Sequence, residues 1–258
     1  YAVNTPNNKF LAKFYFSSNS DNRSRLENEF NFINFAKAKE INCIPNTILK
    51  SDSLNLGIFE YIEGQKFLKE DLNKESVMCC ADFFQTLNKP GNSVNLKTLS
   101  YASEAFLDLS SYIKKIDKKI LKLRDTIFFS NKKDIVSFLD DLQKAWENIK
   151  TDLLNNESFI TENKSPCISP SDFGFHNTLL SPKGLYFIDF EYAGIDDSSK
   201  FISDFFIQPE IKIPIEYMEE FASKALTSFP DSKLQLERTK KLFPMFQVKW
   251  CCIMLNEF

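Results

Sequence analysis

At 258 residues the chain is long enough to bury a substantial core, as one compact unit or as two lobes. A net charge of −3 without a basic run gives no pull toward a phosphate backbone and argues against a nucleic-acid partner. Hydrophobic content of 43% with 27 Phe and only six Gly describes a packed chain, not a disordered linker.

In chain order, Tyr1-Ala2-Val3 and Phe10 to Phe16 read as strands around the turn Thr5-Pro6-Asn7-Asn8. Period two puts Leu11 and Lys13 on one face. From Asn22 to Lys39 the pattern is helical, with Leu26, Glu29, Phe30 and Ile33 at i, i+3, i+4 and i+7. A carboxylate inside that apolar stripe is costly to bury unpaired, so Glu29 requires a cation. Lys13 is the natural one; pairing with Arg25 along the helix is the alternative, and Glu27 is the fallback acid, lying off the stripe. Leu56 to Gly64 reads as a strand running into a glycine.

The stretch from Asp71 to Asn156 is predominantly helical, broken at Asn88-Lys89-Pro90-Gly91-Asn92. Phe83, Leu87, Ile113, Ile116, Ile120, Leu123, Phe138, Leu142 and Trp146 are expected in the core, and the lysines from Lys114 to Lys122 on a solvated face.

The densest chemistry lies in Ser169-Pro170-Ser171-Asp172-Phe173-Gly174-Phe175-His176-Asn177 and in Ile188-Asp189-Phe190-Glu191. Between them, Ser181-Pro182-Lys183-Gly184 has the proline and glycine of a type I turn, so the flanking apolar runs form a β-hairpin. If Ser181 faces Gly184, then 177 opposes 188 and 176 opposes 189, which brings Asn177 and Asp189 to the open end with Asp172 in the entering loop. Antiparallel neighbours about 5 Å apart allow two side-chain oxygens to converge on one hard cation. A carboxylate to receive an alcohol's proton and two oxygen ligands for magnesium are the requirements of phosphoryl transfer. Turn-forming roles explain either half taken singly, but not the two halves joined by a hairpin.

Asp172-x4-Asn177 followed by the apolar strand ending Ile188-Asp189-Phe190-Glu191 resembles the catalytic loop and metal segment of the aminoglycoside phosphotransferase and choline kinase family, relatives of the protein kinases. The resemblance spans most of the chain. It implies an α+β, bilobal protein kinase-like fold, with a small β-rich nucleotide-binding lobe over 1–63 and a larger, mainly helical lobe over 64–258. It implies ATP and magnesium as cofactors, Asp172 as catalytic base, Asn177 and Asp189 as magnesium ligands, and Glu191 near the metal or substrate. Lys13, held by Glu29, then reaches the α- and β-phosphates while Leu11 covers the adenine. Alone, Lys13 would read as an exposed strand lysine. Backbone groups from Glu60 to Ile62 become the hinge that bonds the adenine edge, and Asp204 braces the catalytic loop from a helix. The family has His-Gly before its catalytic Asp where this chain has Pro170-Ser171, a departure that touches the loop's supporting hydrogen bonds.

Asp172-Phe173-Gly174 also spells the metal-binding triplet of protein kinases, but Asp152 upstream is followed five places later by Glu157, not Asn, and no Ala-Pro-Glu follows Asp189-Phe190-Glu191. A small-molecule kinase is therefore expected, acting on a hydroxyl of an aminosugar, sugar or amino alcohol. A nucleotide-binding regulatory module without turnover is the first alternative, and a magnesium-dependent phosphohydrolase the second. Asp196 or Asp197 is expected to cap a helix, and His176, the single histidine, to play a structural role on the side of the ribbon away from Asn177.

Six cysteines without C-x2-C spacing point to free thiols in a reducing compartment, and no signal or spanning apolar run is present, so a cytoplasmic location is expected. The chain starts at Tyr1 inside an apparent sheet and stops at Phe258 just after Trp250 to Leu255, which reads as buried helix. The resemblance places the loop over the ATP phosphates just where the sequence begins. Nothing in the sequence sets the oligomeric state.

Overall fold

The computed structural model describes residues 1–16, 24–90, 99–128 and 133–255. A four-stranded antiparallel sheet leads, with order β1-β2-β4-β3, built from β1 (Ala2–Asn4), β2 (Lys9–Phe14), β3 (Thr47–Ser51) and β4 (Leu56–Glu60). Helix α1 (Arg25–Ala38) lies between β2 and β3 in sequence and buries Leu26, Glu29, Phe30 and Ile33, the stripe expected from the spacing. The predicted start of this helix at Asn22 and the Gly91-Asn92 end of the breaker lie outside the described residues.

Strand β3 escaped the sequence reading. It is an edge strand whose Ile48 and Leu49 are both exposed, and its register shifts between Thr47 and Leu49 where it pairs with β4. A bulge of that kind erases the period-two alternation by which a strand is recognised.

The remaining chain is mainly helical: α2 (Lys74–Leu87), α3 (Leu109–Phe128), α4 (Lys133–Asn155), α5 (Glu157–Glu162), α6 (Ser198–Ile207), α7 (Met218–Ala225) and α8 (Ser232–Met254). Short strands are set among them. β5 (Gln65–Lys66), β7 (Thr178–Ser181) and β8 (Gly184–Phe187) form one small sheet, and β6 (Pro166–Ser169) pairs with β9 (Gly194–Asp197). Helix α2 starts at a reciprocal cap, in which Ser76 N–H donates to Asn73 Oδ1 at 2.9 Å and Asn73 N–H donates to Ser76 Oγ at 3.1 Å. Asp197 caps α6, accepting from Ser199 N–H at 2.9 Å.

Two apolar cores result. One joins α1 and the sheet to α2, α6 and α7; the other is enclosed by α3, α4, α5 and α8. The abundant phenylalanines form the first. Phe83 of α2 lies 5.1 Å from Phe173, 4.9 Å from Phe187 and 6.2 Å from Phe190, while Phe32 of α1 meets Phe190 at 4.7 Å. Each buried Phe contributes about 1.5–3 kcal/mol, and this set ties the elements around the loop carrying Asp172 to both neighbouring helices. One expected core residue is turned out: Phe138 is 48% exposed. The buried stripe of α4 runs through Leu139, Leu142, Trp146 and Leu153, which leaves its neighbour Phe138 on the open side. The C-terminal segment is helical as expected, although from Trp250 to Leu255 only Cys252 is fully buried. No helix among the described residues is long and apolar enough to cross a membrane.

Candidate active site

The predicted ribbon forms in the predicted register, Thr178 opposite Phe187 through Ser181 opposite Gly184. Gly184 closes its turn at φ +110°, a conformation other residues enter only with strain. Beyond the ladder, Ile188 N–H donates to Asn177 O at 3.0 Å, so the 177/188 pairing persists for one bond. The 176/189 pairing does not follow. Phe175–Asn177 is a 3-10 turn and Asp189 adopts φ +67°, so strand alternation ends there. His176 accordingly does not point away from the site: its Nε2 stands 3.3 Å from Asp172 Oδ1.

Lys13 gathers the acidic side chains. Its Nζ lies 2.8 Å from Glu29 Oε2, 2.6 Å from Asp189 Oδ1 and 3.1 Å from Glu191 Oε2. Glu29 also accepts from the Tyr15 hydroxyl at 2.6 Å and from Phe190 N–H at 3.0 Å, so a carboxylate only 4% exposed has every neighbour it needs. Burial pushes the Glu29 carboxyl above its usual range, with Lys13 working against it. For Lys13 burial acts to lower the ammonium, but Glu29 and Asp189 outweigh it and hold it above its ordinary value. Arg25 Nη1 meets Glu191 Oε1 at 2.9 Å, and Glu27 is taken by Lys50.

Next to this cluster a cleft opens between the four-stranded sheet and the ribbon. Leu11, Lys13, Glu29, Glu60 and Ile62, all singled out from the sequence, line it together with Asp189. Sequence reasoning missed Pro45, Phe59, Leu179 and Ile188 on its walls. The last two were accessible in principle, being ribbon residues whose place follows from the same turn. The Glu60 carboxylate accepts from Asn46 N–H at 3.0 Å and Asn46 Nδ2 at 2.6 Å, which fixes the strand end that enters the cleft. At Gly64 a Cβ would stand 2.7 Å from Leu180 O, so only glycine permits this close crossing over the ribbon.

The loop carrying Asp172 is held by its own residues. Ser171, where the family has glycine, takes φ +64°; its N–H donates to Ser169 Oγ at 3.0 Å and its carbonyl accepts from Phe173 N–H at 2.7 Å. Phe173 and Phe175 are buried, the latter stacked 4.3 Å from Phe67, and this pins the loop on both sides of the exposed Asp172. Asn177 Nδ2 donates to Asp172 O at 2.9 Å. Glu29, Asp189 and Glu191 present carboxylate oxygens all within 4.8 Å of one another, a hard-oxygen set of the kind that holds a divalent cation, whose charge is met here by the Lys13 ammonium.

On the far side of Asp172 lies a second cleft, lined by Ser171, Tyr192, Lys200, Asp204, Lys249 and Trp250 among others. The Asp204 carboxylate makes no hydrogen bond or ion pair to the loop it was expected to brace, although both line this cleft. It accepts from Lys249, from Lys200 at 3.1 Å and from Trp250 Nε1 at 2.8 Å, which ties α6 to α8. Both lysines were missed: Lys200 because an (i, i+4) Lys-Asp pair on a helix reads as an ordinary solvated face, and Lys249 because its partner lies 45 positions away on another helix.

No protein-family model matches the chain, and no curated protein matches it. Solved structures do. An ethanolamine kinase from Plasmodium vivax superposes with TM-score 0.62 at 17% identity, over 97% of this chain and 70% of that one. A choline kinase from Cryptosporidium parvum Iowa II gives 0.63 at 15%, over 96% and 76%. This chain has the protein kinase-like fold of small-molecule kinases. An ADP-bound aminoglycoside phosphotransferase gives 0.59 at 17% over 95% and 78%, so the same kinase-like fold is met in enzymes with different named acceptors.

Proposed function

We propose that the chain is an ATP-dependent phosphotransferase that moves the γ-phosphoryl group to a hydroxyl of a small molecule. The observation that carries this reading is the meeting of Lys13 with Glu29 and Asp189, drawn from a strand, a helix and the segment after the ribbon, beside a cleft lined by Leu11 and Ile62. The division of labour follows the expected lobes, 1–63 for the nucleotide and 64–258 for acceptor and chemistry.

Asp172 accepts the proton of the acceptor hydroxyl as that oxygen bonds to the γ-phosphorus, and the bond to the β–γ bridging oxygen breaks with its electron pair leaving on ADP. Asn177 and Asp189, with Glu191 near them, would hold magnesium. That ion would neutralise charge on the phosphate oxygens. Lys13, fixed by Glu29, steadies the α- and β-phosphates, and positioning with charge neutralisation supplies most of the rate. The described cysteines are all unpaired, which suits the reducing, ATP-rich cytoplasm assigned in this reading.

The test is a screen of sugars, aminosugars and amino alcohols with ATP and magnesium, read as ADP release, with Asp172→Asn as control. Acceptor-dependent ADP release lost in the variant is expected. Nucleotide binding without release from any acceptor would leave a regulatory module, and phosphate release independent of ATP would leave a phosphohydrolase.

A further inference from the structure

The cleft beside Asp172 would be expected to be acidic in a kinase for amino alcohols, since a cationic head group needs an uncommitted carboxylate or an open aromatic face. Here the carboxylates other than Asp172 are already paired, and the aromatic faces are covered. Asp204 carries two ammonium groups, Lys249 and Lys200, the latter also 2.9 Å from Asp196. Glu104, the other carboxylate on this cleft apart from Asp172, is paired with Lys119 at 3.3 Å. The aromatic faces are engaged as well: Lys249 Nζ lies 4.9 Å from the Trp250 ring centroid, and the Arg25 guanidinium 5.2 Å from that of Tyr192.

Lys200 and Lys249 are buried, 2% and 3% exposed, and with the buried Asp196 and Asp204 they form a charge-balanced group in the cleft wall, which offers a cation no net attraction. An ammonium has three donors. Lys249 spends one on Asp204, which leaves N–H groups for an oxygen-rich ligand. A carboxylate-bearing acceptor is disfavoured in turn, because the exposed Asp172 carboxylate faces the same space.

We infer that the acceptor is an uncharged polyhydroxyl compound of the sugar class, and not a cationic amino alcohol or aminosugar. This rests on reading Asp172 as the proton acceptor, and it separates the chain from the choline and ethanolamine kinases whose fold it shares.

The experiment measures binding and turnover together. The full chain, with a non-hydrolysable ATP analogue and magnesium, is titrated with neutral sugars and with choline, ethanolamine and an aminoglycoside; the same compounds are assayed for ADP release with ATP. At least one sugar should bind about ten-fold or more tightly than every amine. An amine bound as well as the best sugar overturns the inference, and so does binding of neither class by a protein that binds the nucleotide analogue. Sugar binding without ADP release keeps the ligand class of the cleft but overturns the transfer reading, and with it the sugar's role as acceptor. Lys249→Met opens the Trp250 face and should raise choline binding about ten-fold, whereas Lys249→Arg should keep the wild-type preference. No gain in a folded Lys249→Met protein counts against the inference, and the wild-type titration decides it without any variant.

Discussion

Lys13 Nζ stands 2.6 Å from Asp189 Oδ1, although 176 positions separate the two residues in the chain. The ammonium therefore links the sheet to the segment after the ribbon, and Glu29 holds it from a third direction. Lys13→Met should weaken nucleotide binding about ten-fold or more, because a charge-assisted contact to phosphate is lost. Titration of the folded variant with an ATP analogue, with circular dichroism as the folding control, measures this.

Asp172 is exposed and holds no core together, so Asp172→Asn should leave the melting temperature within a few degrees of wild type. Acceptor-dependent ADP release should fall by about 10²–10⁴-fold. Equal loss of nucleotide binding would show that Asp172 acts on the cleft's structure and not on the proton.

Ser171 occupies the left-handed region at φ +64°. Relief of that strain in Ser171→Gly should stabilise the protein by up to about 1 kcal/mol, against the extra chain entropy glycine brings. A β-branched residue fits the same backbone less well, and Ser171→Val should cost about 1–3 kcal/mol. Urea unfolding of the two variants should place them on opposite sides of wild type.

Arg238 is 1% exposed and donates to Asp197 at 2.7 Å, to Ser199 Oγ at 3.0 Å and to Ile160 O at 2.9 Å. Arg238→Met leaves the buried Asp197 without its compensating cation and should cost about 3–5 kcal/mol. Thermal unfolding would show it, and a loss below about 1 kcal/mol would mean that water replaces the guanidinium.

Burial pulls the Lys249 ammonium down to about 8 from 10.5, against the raising effect of Asp204; Lys200 lowers it further. Between those values the unfolded chain binds a proton that the folded chain has released, so this group makes stability rise with pH across that window and contributes no slope below it. Wild type should therefore gain on Lys249→Met between about pH 8 and 10, by at most about 1.4 kcal/mol per pH unit. Parallel urea curves at both ends of the window test the sign.

The ribbon was legible because it is local: the Ser181-Pro182-Lys183-Gly184 turn sets the register, and the register sets which residues meet. The same reasoning overreached by one pair at His176, where a 3-10 turn replaces the strand and aims the ring at Asp172. Glu29 was legible for another reason, since a carboxylate in an apolar stripe must have a cation.

What the sequence determined by itself was the chemical inventory and its local order: an exposed acid in a loop, an amide and an acid flanking a hairpin, a strand lysine and a helix glutamate. The tertiary structure alone decided how the charges are spent. Arg25 goes to Glu191, and Lys200 and Lys249 converge on Asp204 from different helices. Charge neutralisation depends on distance through space and on burial, and neither is written in the spacing of residues along the chain.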